Sequence, residues 1–188
     1  MELVSRAIMF ATSAHDGMRR KKTDTPYILH PLEAAVIVGT MTSDQEVIAA
    51  AVLHDVVEDT SITMQEVEEK FGERVKALVL SETEEKRPDI PAHLSWRIRK
   101  EETLEVLKNA TDIGVLMIWL GDKLANIRSI YRELQIVGDN LWQKFNQKDV
   151  KQHAWYYYNI VKYTERLNHT SAWLEFKTLV EMVFGKEE

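Results

Sequence analysis

The chain has 188 residues, 45% of them hydrophobic and 29% charged, with seven glycines, four prolines and no cysteine. That length and balance suit one globular domain with a sizeable core, and the lack of cysteine excludes a disulfide framework and any thiolate metal site. A net charge of −6 argues against sequence-independent nucleic-acid binding, which needs a cationic face to neutralise phosphates, but it leaves room for a local basic pocket.

The N-terminus, "MELVSRAIMFATSAHDGM", carries early charges and an amphipathic pattern where a signal peptide has an apolar core. Leu3, Ala7, Phe10, Ala11 and Ala14 fall at helical spacing, and Gly17 ends the segment. "RRKKTDTPYILHP" reads as a basic loop, with Pro31 suited to the first position of a second helix, "PLEAAVIVGTM". Ser43 with Glu46 predicts a capping box ahead of "SDQEVIAAAVLHDVVED". Thr63 with Glu66 repeats that signature ahead of "MQEVEEKFG", which Gly72 stops.

"ERVKALVLSETEE" predicts another short helix, and "KRPDIPAHL", with two prolines, a long loop. Helices follow at about 95–109, 112–137, 149–168 and 171–184, with "VGDNLWQKFNQKD" separating two of them. The longest strongly apolar run, "GVLMIWLG", falls short of the roughly 20 residues that span a bilayer. No run alternates with period two, and no internal repeat or linker interrupts the pattern. The expectation is a single all-α domain over residues 1–188, soluble, cytoplasmic and without a membrane partner.

One stretch demands an explanation. "IAAAVLHDVVEDT" ends an apolar run with His54, Asp55, Glu58 and Asp59. On a continuous helix His54 stacks on Glu58 and Asp55 on Asp59. Their carboxylates would crowd the negative pole of the helix dipole, where a bound cation compensates them. A single histidine or acid there is more often a solvated helix end. Other candidates recur, however. His30 stands directly before a helix, Asp122 is the first acid after an apolar run, and Asn126 lies one turn further on. Two imidazoles and two carboxylates from separate helices make a plausible ligand set for Mn²⁺, Fe²⁺ or Zn²⁺.

"AHDGMRRKKTDTPYILHPLEAA", "AAVLHDVVEDTSIT", "FGERVKALV" and "LGDKLANIRSI" resemble, in order, the motifs of the hydrolase domain of RelA/SpoT-type alarmone enzymes, over residues 1 to about 135. With no synthetase domain following, the chain is similar to a free-standing small alarmone hydrolase. The resemblance implies an HD-domain helical bundle holding one divalent metal, usually Mn²⁺, on His30, His54, Asp55 and Asp122. It implies Glu58 and Asp59 as the catalytic acids that orient and deprotonate the attacking water. It implies substrate contacts from Arg20, Lys21, Lys22, Lys86 and Asn126, the last to the ribose or its phosphate. The reaction implied is removal of the 3′-pyrophosphate of guanosine tetra- or pentaphosphate, giving GDP or GTP. The partner is a small guanosine polyphosphate; oligomeric state is not implied.

Departures from the family pattern bear on specificity. Gly121 and Lys123 replace an alanine and an arginine, at positions expected to touch no ligand, and Lys21 stands where arginine is common. Residues 87–100 differ from the family pattern and bear on substrate choice. Arg97, Arg99 and Lys100 read as a solvated helix face, and the aromatics of "FNQKDVKQHAWYYYNIV", including Tyr156 and Tyr157, as core, with Lys144, Lys148 and Lys151 on its solvated side. Arg128 is placed to meet either a phosphate or an acid on a neighbouring helix. Two other functions compete with the first: an HD-domain phosphohydrolase of another nucleotide or of a nicotinamide dinucleotide 2′-phosphate, and a non-catalytic nucleotide sensor.

Overall fold

In the computed structural model, residues 1–186 are described except Lys22, Lys86 and Pro88. Two of the expected substrate contacts, Lys22 and Lys86, therefore lie outside the described residues. The chain is all-α, and the described residues contain no strand beyond an isolated bridge between Arg19 and Pro26 in the basic loop. The helices are α1 (Leu3–Ala14), α2 (Leu29–Gly39), α3 (Gln45–Leu53), α4 (Val56–Asp59), α5 (Met64–Phe71), α6 (Glu73–Glu82), α7 (Ala92–Asn109), α8 (Ile113–Val137), α9 (Val150–Tyr163) and α10 (Ser171–Phe184). Short 3₁₀ segments, Gly138–Lys144 and Glu165–Leu167, flank α9.

Local chemistry sets most of these boundaries. Thr63 and Glu66 form the expected capping box, each side chain satisfying a backbone N–H of the first turn of α5. The start of α3 differs from expectation. Asp44, not Ser43, caps it, accepting from the Glu46 N–H, while the Glu46 carboxylate turns to Arg74. Helix α2 starts at Leu29, two residues before Pro31; proline is tolerated in a first turn because its missing N–H has no partner there anyway. The run after Ala51 is not one helix. Helix α3 stops at Leu53 and α4 begins at Val56, so His54 and Asp55 sit on the joint.

Apolar side chains collect in two clusters. One joins α1, α2, α3, α5 and α6 around Val38, Leu53, Val67 and Val79. The other joins α7, α8, α9 and α10 around Trp119, Leu124, Ile160 and Phe176. Helix α8 serves both: Ile118 belongs to the first, Trp119 and Leu120 to the second, and Val115 and Met117 pack against each. Helices α2 and α8 approach so closely that a Cβ on Gly121 would lie 2.8 Å from Val38 Cγ2 and 2.9 Å from the Ala34 carbonyl oxygen. Arg128 on α8 pairs with Glu33 on α2 and Glu175 on α10, so of its two expected roles it takes the structural one.

Candidate metal centre

The close α2–α8 approach brings His30, in the first turn of α2, to Asp122, in the middle of α8. His30 Nε2 lies 2.9 Å from Asp122 Oδ1. His54, at the end of α3, lies 3.7 Å from the same oxygen, and Asp55 Oδ2 is 3.1 Å from His54 Nε2 and 3.6 Å from His30 Nε2. One ligand atom each from His30, His54 and Asp122 fits within 4.8 Å of the others, and all three residues are buried.

The His54 ring tests whether a cation belongs there. Its Nδ1 donates to the Ala51 carbonyl at 2.8 Å, which in the neutral ring leaves the Nε2 lone pair facing the carboxylates. That Nε2 is buried without an aligned hydrogen bond. Two carboxylates against a buried lone pair repel unless a positive charge sits between them. A proton on the ring would also supply that charge: burial opposes it, but Asp55 and Asp122 outweigh burial and push the ring up to about 10. Asp122 is likewise held well below the usual carboxylate range, Lys123 and His30 prevailing over burial. Two buried imidazoles and two carboxylates are also a fitting donor set for a divalent ion.

The acid pair stands beside this cluster. Asp59 Oδ2 and Asp55 Oδ2 both lie 2.7 Å from the Tyr27 hydroxyl, each placed to accept its one hydrogen. The Asp55–Asp59 juxtaposition expected from a continuous helix thus holds across the helix break. Glu58 Oε2 accepts from the Glu84 backbone N–H at 3.4 Å, and both Glu58 and Asp59 line a cavity of about 210 Å³ with Asp55 and Asp122. A cleft of about 630 Å³ adjoins it, sharing Arg20, Tyr27, His30, Lys100, Lys123 and Asn126 as lining.

Of the expected substrate contacts, Arg20 and Asn126 meet each other. Arg20 donates to Asn126 Oδ1 at 3.0 Å, and Asn126 Nδ2 donates to Asp122 Oδ1 at 2.6 Å. Asn126 is therefore tied to the carboxylate that faces both histidines. Lys21 lines the large cleft and reaches Asn146 at 3.2 Å.

Two expectations fail here. Arg99 and Lys100 are not a solvated face: they close on Glu84, Arg99 at 2.7 Å, and turn toward the small cavity, because α7 packs on α9 with Lys100 over the Tyr156 ring. Arg97 does stay largely outside, stacked on Trp155. Lys123, expected to touch no ligand, is paired with Asp122 and lies over the Trp119 ring. Tyr156 and Tyr157 are buried as expected of core, and they also line the large cleft. Lys144 lines it too, paired with Glu133.

Sequence reasoning missed Glu82. Its carboxylate is buried against Asp122 and Lys123 with neither oxygen hydrogen-bonded, and burial with Asp122 raises it well above the usual range. The signal was present: Glu82 follows Leu78 and Val79 on the buried face of α6. His15 was also missed; it is buried under Tyr27, 4.9 Å ring to ring, with neither nitrogen bonded.

Comparison with known proteins adds the following. The HD domain family model matches residues 7–149. Over 130 residues, 69% of the chain, there is 37% identity to a guanosine-3′,5′-bis(diphosphate) 3′-pyrophosphohydrolase of Aquifex aeolicus (strain VF5), of which 18% is covered. A GTP pyrophosphokinase rsh of Brucella ovis is 35% identical over 128 residues, 68% of this chain and 17% of that protein. The chain thus spans less than a fifth of the length of these curated relatives. A protein of known crystal structure from Listeria monocytogenes EGD-e is 30% identical with a TM-score of 0.72, covering 84% of this chain and 99% of that one. A metazoan ortholog of SpoT, described as hydrolysing ppGpp, superposes with a TM-score of 0.75 at 24% identity over 99% of this chain and 98% of its own, a likeness of fold.

Proposed function

The chain belongs to the HD domain family, and from that premise we propose that it is a cytoplasmic, Mn²⁺-dependent hydrolase of the 3′-pyrophosphate of guanosine tetra- or pentaphosphate. The observation that carries this reading is the meeting of His30, His54, Asp55 and Asp122 beside an acid pair, at the foot of a cleft rimmed by cations. The relatives' activities support the choice of substrate.

His30, His54, Asp55 and Asp122 would hold the ion. Such an ion supplies a water acidified toward a pKa of about 7 and polarises a phosphoryl oxygen. Glu58 and Asp59, lining the same small cavity, orient that water and take its proton. Arg20, Lys100 and Lys123 border both cavities, where they neutralise phosphate oxygens as charge builds on the leaving pyrophosphate. Tyr156, Tyr157 and Trp96 give the large cleft flat walls for a base, and Lys21 closes its outer edge.

The test is incubation of the Mn²⁺-loaded protein with guanosine tetraphosphate, with pyrophosphate and inorganic phosphate measured separately. The expected products are GDP and pyrophosphate, formed by the wild type and lost in Glu58→Gln and Asp59→Asn. Phosphate release alone, or turnover of a nicotinamide dinucleotide 2′-phosphate in preference, would replace this substrate with the competing one. Ligand-induced thermal stabilisation without any turnover would point to a sensor.

A further inference from the structure

The Tyr27 hydroxyl joins two carboxylates that the reaction uses separately. It lies 2.7 Å from Asp55 Oδ2, the oxygen that faces both histidines, and 2.7 Å from Asp59 Oδ2. A phenol has one hydrogen and so donates to one acceptor at a time. The ring has little freedom to choose a third position. His15 packs beneath it at 4.9 Å between ring centroids, the Arg20 guanidinium lies 5.7 Å from its centroid, and the His30 ring stands T-shaped to it, 6.1 Å centroid to centroid. Its backbone is fixed as well: the Tyr27 N–H donates to the Met18 carbonyl, and the Tyr27 carbonyl accepts from the His30 N–H.

We propose that Tyr27 is a positioning residue that couples cation binding at Asp55 to the placement of the catalytic acid Asp59. With Asp55 Oδ2 engaged by a cation, that oxygen becomes the poorer acceptor and the hydroxyl proton turns to Asp59. Asp59 is then held in one orientation at the moment the centre is complete. Without a cation the proton is shared between both acids, and Asp59 is held less firmly. The inference rests on the metal centre proposed above, and it extends that centre outward by one residue, as supporting groups around metal ligands commonly do.

The experiment is a double-mutant cycle read as Mn²⁺ affinity, by titration calorimetry or Mn²⁺ electron paramagnetic resonance, in the absence of nucleotide. Tyr27→Phe keeps the ring packing and removes the hydroxyl that competes with the cation for Asp55 Oδ2; by reciprocity Mn²⁺ affinity is expected to rise several-fold. Asp59→Asn is expected to lower affinity several-fold in the wild type and by a smaller factor in Tyr27→Phe, where only the lost charge acts. Should Tyr27→Phe fail to fold, the comparison of Asp59→Asn with Glu58→Gln remains. Both remove one negative charge, and among the described residues the Tyr27 hydroxyl reaches Asp59 as well as Asp55, so the proposal requires the larger change from Asp59→Asn. Equal effects of the two, unaltered or lowered affinity in Tyr27→Phe, or an Asp59→Asn effect identical in both backgrounds overturns it. A chain that binds Mn²⁺ but leaves guanosine tetraphosphate intact refutes the proposed reaction while this coupling is still measured. A chain that binds no divalent ion overturns both.

Discussion

Replacing Gly121 with alanine places a methyl group in the contact that sets the spacing of α2 and α8. The added carbon would stand 2.8 Å from Val38 Cγ2 and 2.9 Å from the Ala34 carbonyl oxygen. Ordinary carbon contacts lie at about 3.5–4.0 Å. Val38 can rotate, but the Ala34 oxygen is backbone, so the helices must part by roughly half an ångström or more. Overpacking of this kind costs about 1–3 kcal/mol. Alanine recovers about 1 kcal/mol over glycine inside a helix. The net expectation is a loss of about 1 kcal/mol, a fall in melting temperature of about 2–4 °C for a chain of this size. The larger consequence falls on the metal centre, because His30 rides on α2 and Asp122 on α8, 2.9 Å apart. Sites of this kind tolerate misplacement of about 0.5 Å, so Mn²⁺ affinity should fall about tenfold, or about 1.4 kcal/mol. Thermal denaturation of the metal-free protein and a Mn²⁺ titration measure the two effects. Gly114→Ala is the control, since its new methyl meets side-chain atoms of Val47, Asp112 and Leu78, away from the ligands. A Gly121→Ala protein that melts higher than wild type and binds Mn²⁺ equally well would refute the spacing argument.

Three further outcomes are expected. Asp122→Asn removes a proposed ligand and strands Lys123, so calorimetry should show Mn²⁺ binding abolished and urea denaturation a loss of about 3 kcal/mol, as when a buried ion pair loses one partner. On the proposed ligand set Mn²⁺ would displace the proton that Asp55 and Asp122 favour on His54, whose pKa is raised to about 10. Apparent affinity should therefore climb about tenfold per pH unit between about pH 6.5 and 8.5, still below the raised value; a flat profile in Mn²⁺ titrations over that range would contradict the assignment. Glu84 is held below the usual carboxylate range because Lys100 and Arg99 overcome its burial. Its contribution is therefore present above pH 4.5, its ordinary value, and lost as pH falls through the lower folded value. Glu84→Gln should remove about 2 kcal/mol at pH 7, and progressively less as the melting curves are repeated at pH values further below 4.5.

The helices and the ligand candidates were legible because their signals are local. Periodicity located α1, α8 and α10, and Thr63 with Glu66 announced the start of α5 through a device spanning four residues. His54, Asp55, Glu58 and Asp59 stood out because acids are costly at the end of an apolar run. The break between α3 and α4 was not legible: no glycine or proline marks it, and only the tertiary pull of His54 and Asp55 toward Asp122 and Tyr27 accounts for it. Lys100 looked like an ordinary surface position because its acid partner, Glu84, lies 16 positions away in the loop after α6; Lys123 pairs with its own neighbour Asp122, and what spacing did not give was the burial of that pair. The choice of Ser43 over Asp44 as cap was a matter of one residue, decided by which side chain reaches the Glu46 N–H. Tyr27 lies in the quoted "YILHP" segment, but nothing in sequence spacing says that a phenol there meets two acids 28 and 32 positions away.

The service of α8 to two apolar clusters has a consequence for how the molecule comes apart. Neither side can shed its packing without baring a flank of the same long helix, so fraying of one half undermines the other. Backbone amides in α3 and in α9, on opposite sides, should exchange with solvent deuterium through a single shared opening, and a fragment carrying either half alone would expose a raw apolar seam.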